Sequence, residues 1–346
     1  MRTFECDYTE GAHPKLLDAL IRTNLEQMSG YGSDPYTARA AEKIRAACEA
    51  PDATVVFLAG GTQTNMIAID LLCEPFEGVL SPRTGHINVH EAGAVEFTGH
   101  KVLALPETDG VLDVDALETY LAAFYADATH EHMVRPGLLY LTYPTEYGTL
   151  YTKAQLRRVR ALCDRYEVKL YVDGARLGYA LGCDGNELSL PELADLCDAF
   201  SIGGTKLGAL CGEALVFARR APKHLLSQIK RHGGLLAKGR LAGVQFDALF
   251  TDGLYTAIGR EAIRHARRIR AILEEKGYPF AWQSPTNQQF VILTNAEADA
   301  LMQRVGFDLW GRTDADHWIA RFTASWSTTD ADVDELESAL PHKNLL

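Results

Sequence analysis

Three features of the sequence, in a fixed order, have the types and surroundings for carbonyl chemistry on an amine. The most conspicuous is Lys206, the one lysine in the run AFSIGGTKLGALCGEALVF (199–217), whose other residues are mostly apolar or small. A lysine in a turn ordinarily snorkels to water. Here its neighbours supply no polar face for that, and the flanking glycines predict something packed close. A desolvated lysine loses proton affinity and becomes a nucleophile able to form a Schiff base. The second feature is Asp173, in YVDGARLGYAL (171–181), at the end of an apolar run. The carboxyl ends of strands in open α/β sheets are where ligands bind. By itself such a carboxylate is either a helix cap or a charge partner for something in the crevice. The third is GGT (60–62), two glycines at the start of a helical pattern. Glycines let the backbone approach a ligand, and a helix N-terminus suits a phosphate. The segment matches neither GxGxxG nor GxxxxGK[ST], and taken alone it is equally compatible with a tight turn.

In this order, a phosphate cradle, a strand-end aspartate and a buried lysine are what pyridoxal phosphate needs. The first holds its phosphate, the second pairs with its ring nitrogen, and the third binds its aldehyde carbon.

The elements that must hold these residues follow from periodicity. TVVFLAGG (54–61) reads as a strand and TQTNMIAIDLLC (62–73) as a helix. VLALP (102–106), LLYLTY (138–143) and VKLYVD (168–173) read as strands. DVDALETYLAAFYA (113–126), opening on an Asp cap, and KAQLRRVRALCDRYE (153–167) read as helices. AFSIGG predicts a strand, TKLGALC a turn and GEALVF a returning strand. Near-continuous apolar strands alternating with helices predict an α/β fold, a mostly parallel sheet covered by helices on both faces. After the helical stretch at 259–277, FVILT, EADALMQRVG, WIARFTASW and DADVDELESAL predict a small α+β unit. The expected division is a large domain, 1–250, carrying the N-terminal segment, and a small C-terminal domain, 251–346.

Composition excludes several functions. The chain is 47% hydrophobic and 23% charged with a formal net charge of −12, which argues against nucleic acid or an anionic membrane as partner. No apolar run approaches the ~20 residues of a membrane helix, and the start lacks a secretory pattern. Seven scattered cysteines without a CxxC pair point to reduced thiols in the cytoplasm, with no disulfide framework and no metal site.

FLAGGTQTN, TGHINVHEAGA, YVDGARLG and SIGGTK resemble the threonine aldolase branch of the fold-type-I pyridoxal-phosphate enzymes, the β-eliminating lyase group. The likeness runs from FECDYTEGAHP through YGSDPYT (31–37) to ARFTASWSTTDADVDEL (320–336). It implies a seven-stranded, mostly parallel sheet with a small C-terminal domain, and pyridoxal phosphate joined to Lys206 as a Schiff base. It makes Asp173 the partner of the ring nitrogen and places Arg176 at the ring oxygen or the substrate. Gly61 and Thr62 become part of the phosphate cradle, and His86 the histidine that stacks on the ring. Arg321 matches an arginine that clamps a substrate α-carboxylate, a task suited to a planar guanidinium. Tyr31 falls in a segment that reaches the site across a dimer interface, and Lys238, or Arg240 two positions on, near a basic residue that reaches the phosphate. A homodimer or homotetramer is implied.

Two departures fall where substrate meets enzyme. Where many members carry a histidine in T-H-N-G, this chain has YPTEYG (143–148) with Glu146, our candidate general base. Where many have an N-terminal serine, it has Cys6. The expected reaction is cleavage of the Cα–Cβ bond of L-threonine, L-allo-threonine or a related β-hydroxy-α-amino acid to glycine and an aldehyde. The same residues would serve β-elimination, transamination or racemisation, and a non-catalytic cofactor-binding protein is the remaining reading.

Overall fold

The computed structural model describes residues 2–343. Its strands are β1 (Thr54–Leu58), β2 (Glu77–Pro82), β3 (Val102–Leu105), β4 (Glu107–Thr108), β5 (Val111–Leu112), β6 (Arg135–Thr142), β7 (Lys169–Asp173), β8 (Ala199–Gly203), β9 (Glu213–Phe217), β10 (Gln288–Thr294), β11 (Asp308–Arg312) and β12 (His317–Thr323). Seven form one sheet in the order β1-β9-β8-β7-β6-β2-β3. Every pairing in it is parallel except the two made by β9, which runs against both β8 and β1. The reversal follows from chain length: the link from Gly203 to Glu213 is too short for the crossover that a parallel neighbour requires.

Both faces of the sheet are buried, and side chains alternate strictly between them. Along β6, Leu139 and Leu141 enter one core with Leu170, Val172, Phe200, Ile202, Ala214 and Val216 of the neighbouring strands. Leu138 and Tyr140 enter the opposite core, with Tyr171, Ala199, Leu215 and Phe217. That second core also receives Ile67, Ala68, Ile69 and Leu72 from the helix Gly61–Leu72. The alternation decides where the chemistry goes. Thr142, Asp173, Ser201 and Glu213 share parity with Tyr140, Tyr171, Ala199 and Leu215, so all fall on the face covered by the helix Gly61–Leu72.

The expected helices at 113–126 and 153–167 are present as Val114–Ala126 and Lys153–Arg165. Asp113 caps the first, accepting from the N–H groups of Asp115 (2.9 Å) and Ala116 (3.0 Å). The long helix Leu254–Glu275 serves two cores. Leu254, Tyr255, Ile258, Ala262 and Ile263 join the large one, while Ala266, Ile269, Ile272 and Leu273 join a smaller one. The smaller core is covered by the antiparallel sheet β10-β12-β11 and by the helices Asn295–Met302 and Asp330–Ala339. Phe4, 1% exposed, belongs to it as well. All seven cysteines are free. Among the described residues no helix is long and apolar enough to cross a membrane.

Candidate active site

At the carboxyl ends of β6 and β7 lies a cavity lined among others by Gly61, His86, Glu146, Asp173, Arg176 and Lys206. Six of the residues selected from sequence thus meet in one place. Wider grooves elsewhere, such as that between the helices Pro14–Thr23 and Arg240–Leu249, are open surface lined by paired charges such as Arg39 and Asp247 (2.6 Å).

Four donors converge on the Asp173 carboxylate, the longest contact being that of the Ser201 hydroxyl to Oδ1 (3.5 Å). Its Oδ2 accepts from the Tyr140 hydroxyl (2.9 Å) and Asn65 Nδ2 (2.8 Å), and its Oδ1 from the Ala175 N–H (2.8 Å). The parity of β6 and β7 supplies Tyr140, and the first turns of the covering helix supply Asn65. Asn65 is itself fixed: its Oδ1 accepts from the Tyr171 hydroxyl (2.8 Å), and its Nδ2 also donates to Glu91 (2.7 Å). The same Glu91 oxygen lies 2.7 Å from His86 Nδ1. A carboxylate only accepts, so Nδ1 is the donor in this contact and the ring is held by Glu91.

Lys206 lies in a short 3-10 turn, Thr205–Leu207, after β8. The glycines around it permit close approach rather than flexibility. A Cβ on Gly203 would stand 2.2 Å from the Ala175 carbonyl oxygen, and one on Gly204 2.6 Å from that of Gly212. The turn is thereby pressed against its neighbours, and the amine is enclosed. Burial, and next the Arg176 guanidinium, pull the Lys206 pKa down, while Asp7, Asp173 and Glu213 oppose the fall.

Arg176 is held by Asp7, its Nε at 2.8 Å and Nη2 at 3.0 Å from the two carboxylate oxygens. Asp7 also accepts from Asn287 Nδ2 (3.0 Å), and so ties the N-terminal segment to both cores. Despite full burial, the Arg176 and Lys206 cations hold its carboxyl down at about 2. Its contribution to stability is therefore present above the ordinary aspartate range and lost as pH falls toward 2. Removing one member of a buried pair strands the other charge. Asp7→Ala is expected to cost about 3–5 kcal/mol at neutral pH, read as a lower midpoint in urea unfolding, with Asp7→Asn intermediate.

Glu146 follows β6, buried, and lines the same cavity. The Thr142 hydroxyl lies 2.9 Å from both of its oxygens, and the His86 N–H donates to Oε1 (2.7 Å). Burial pushes the carboxyl up to about 7 against the pull of these donors, so it changes charge near neutral pH.

The remaining candidates lie outside the cavity lining. Arg321, on β12, is 6% exposed and spans Gln288 Oε1 (3.1 Å), the Glu5 carbonyl (3.1 Å) and Asp308 (2.8 Å). Its guanidinium lies 4.6 Å from the Trp310 ring centroid, and its Nε has no hydrogen-bond partner among the described residues. Burial and then Arg176 draw its pKa down: two guanidinium groups near one another favour an anion between them. Cys6 is half-buried beside Arg321 and Asp7, and burial raises its thiol pKa. Thr62 is exposed on the first turn of its helix. Tyr31 is 51% exposed, and its N–H donates to the Ala237 carbonyl (3.0 Å), which brings it beside the exposed Lys238. Arg240 instead donates to the carbonyls of Glu26 (2.6 Å) and Thr23.

Comparison with known proteins agrees with this geometry. The β-eliminating lyase family matches residues 4–296. The chain belongs to the β-eliminating lyase family. It is 30% identical over 341 residues to the low specificity L-threonine aldolase of Pseudomonas sp. (strain NCIMB 10558), covering 96% of this chain and 95% of the other. The threonine aldolase structure from Leishmania major is similar throughout, with a TM-score of 0.94, 40% identity, and 100% and 99% of the two chains covered. A histidinol-phosphate aminotransferase from Clostridium acetobutylicum shares the fold alone, with a TM-score of 0.74 at 14% identity.

As a β-eliminating lyase family member, the chain is a pyridoxal-phosphate-dependent lyase of the fold-type-I architecture. Its residues fit that cofactor. The helix Gly61–Leu72 has no side-chain cap at its N-terminus, and a Cβ on Gly60 or Gly61 would meet nothing within 4 Å. That leaves a turn of backbone N–H groups with room for a phosphate, opening beside Lys206 and Asp173. The family likeness led to the cavity but not to the residues that stiffen it. Asp7, Asn65, Glu91, Tyr140, Tyr171 and Glu213 were not singled out in the sequence. Glu213 had a legible signal, a carboxylate opening an apolar strand. The partners of Asn65 and Asp7 lie 108 and 169 residues away, at Asp173 and Arg176, and local spacing carries no trace of them.

Proposed function

We propose that this lyase cleaves the Cα–Cβ bond of L-threonine, L-allo-threonine or a related β-hydroxy-α-amino acid to glycine and the corresponding aldehyde. The reading rests above all on Glu146, a buried carboxyl pushed up to about 7 in the same cavity as Lys206 and Asp173. A base with that proton affinity suits removal of a hydroxyl proton near neutral pH. As it takes the β-hydroxyl proton, the C–O bond gains carbonyl character and the Cα–Cβ bond breaks. Bound pyridoxal phosphate supplies a sink for the electron pair left at Cα. Lys206 would hold the cofactor's carbonyl carbon, Asp173 its ring nitrogen, His86 one face of the ring, and Gly61 and Thr62 its phosphate.

Arg321, with Arg176 near it and Cys6 beside it, would fix the α-carboxylate. The orientation of that carboxylate decides which bond at Cα is cleaved. Arg321→Lys keeps the charge but loses the planar fork; KM for L-threonine is expected to rise about 10- to 100-fold with a smaller change in kcat.

O-methyl-L-threonine tests the reading, because it has no hydroxyl proton to remove. No glycine is expected from it. Release of methanol with 2-oxobutanoate would show β-elimination instead and overturn the proposal.

We further infer a cytoplasmic homodimer or homotetramer. Tyr31, Leu226 and Leu236 are exposed apolar side chains around one largely apolar cavity, as expected of a surface covered by a second copy. In that arrangement Tyr31 and Lys238 would serve the neighbouring subunit's site. The boundary proposed between the large and small domains, 250/251, lies just ahead of the helix Leu254–Glu275 that both cores share.

A further inference from the structure

The small sheet carries a buried amide that its own core does not call for. On β10 and β12, Val291, Leu293, Ala320 and Phe322 enter the smaller core. Register and parity place Gln288, Phe290, Arg321 and Thr323 together on the opposite face. Gln288 is 0% exposed there, and a buried amide is costly unless its polar atoms are hydrogen-bonded. Its Oε1 accepts from Arg321 Nη1 (3.1 Å), and its Nε2 donates over a longer 3.5 Å to the Glu146 carbonyl oxygen. A guanidinium only donates and a carbonyl only accepts, which leaves the amide one orientation. One side chain thus spans from the arginine of the small sheet to the residue that bears the base.

We propose that Gln288 is a positioning residue that holds the Arg321 guanidinium to the Glu146 segment, so that carboxylate clamp and base keep the spacing of a substrate's carboxylate and β-hydroxyl. The inference rests on the reading of Arg321 as the clamp and goes beyond it. In the substrate those two groups sit on adjacent carbons, at a spacing that the covalent frame fixes. In the protein they come from β12 and from the loop after β6, so a tie between the two is needed to hold a productive geometry. The other polar partners of Arg321, the Glu5 carbonyl (3.1 Å) and Asp308 (2.8 Å), both engage Nη2. Trp310 supports the guanidinium from one side, and Gln288, on Nη1, fixes its rotation. Nε is then left with no hydrogen-bond partner among the described residues and is available to an anion. The fold has other ties at this place. The ring of Tyr147 stacks on Trp282, with centroids 3.9 Å apart, and the Ser284 hydroxyl donates to the Gly148 carbonyl (3.2 Å).

The test compares two ligands on the holoenzyme, glycine and methylamine, the second being glycine without its carboxylate. Binding of each is read from the visible band of the cofactor. Gln288→Met keeps the length of the side chain and removes both hydrogen bonds. Affinity for glycine is expected to fall about 10-fold with that for methylamine unchanged, and kcat for L-threonine to fall about 5-fold or more. Gln288→Asn is polar but too short by one methylene to reach both partners. It should move the same quantities in the same direction, and it carries the test if the methionine variant melts early. An unchanged glycine affinity, an equal loss for both ligands, or an unchanged kcat overturns the role of Gln288. Arg321→Lys is the reference: if it binds glycine and methylamine as the wild type does, the reading of Arg321 is wrong, and this inference falls with it.

Discussion

Lys206→Ala is expected to lower glycine formation from L-threonine by about three orders of magnitude or more while the protein remains folded. The amine is enclosed, lowered in proton affinity by burial and Arg176, and lines the cavity with Asp173. Among the described residues, Arg176 is the one other lysine or arginine that lines that cavity. The change should not weaken the fold, because the turn is held by backbone: the Leu207 and Ala209 N–H groups donate to the Gly204 carbonyl at 2.9 and 3.0 Å. Removing a desolvated ammonium can even raise the melting temperature. Thermal denaturation beside a glycine assay separates lost chemistry from lost structure. Retained cleavage in Lys206→Ala would mean that the site had been misread.

The second large effect is expected at Glu146. Glu146→Gln preserves shape and an acceptor for the His86 N–H and the Thr142 hydroxyl, but cannot take a proton. Cleavage of L-threonine should fall about 10²- to 10⁴-fold, whereas the spectral response of bound cofactor to amino acids should persist. The same substitution has a signature in stability. A carboxyl whose folded pKa is raised from the ordinary range to about 7 favours the fold fully below its unfolded pKa. That contribution is lost as pH rises through 7, and amounts to roughly 3 kcal/mol when complete. Glu213, also raised to about 7, acts in the same direction. The wild-type protein should therefore lose stability between mildly acidic and mildly alkaline pH, and Glu146→Gln should lose less. Equal losses in both would remove Glu146 as a buried titrating base.

The large sheet was readable because its strands are nearly continuous apolar runs with helices between, and the reversal of β9 because its link to β8 is short. β2 was not identified: EGVLSP has only two branched or long aliphatic residues between a glycine and a proline. β11 was missed for a similar reason, since DLWGR is half-exposed and bulged against β12 between Leu309 and Gly311. At the site, Lys206 and Asp173 were legible from their own surroundings. Their supports were not, because a network such as Asp173–Asn65–Glu91–His86 is assembled from three separate stretches of the chain and exists only after folding. The pressure on the Lys206 turn was half legible. The glycines announced a close approach, but only the structure shows that Ala175 and Gly212 are what approaches.

The most direct test of the central claim is to incubate the purified protein and pyridoxal phosphate with L-threonine, and to quantify glycine and acetaldehyde over time. Equal amounts of both, appearing together and absent in Lys206→Ala, are the expected result. A cofactor spectrum that responds to L-threonine while neither product forms would contradict it.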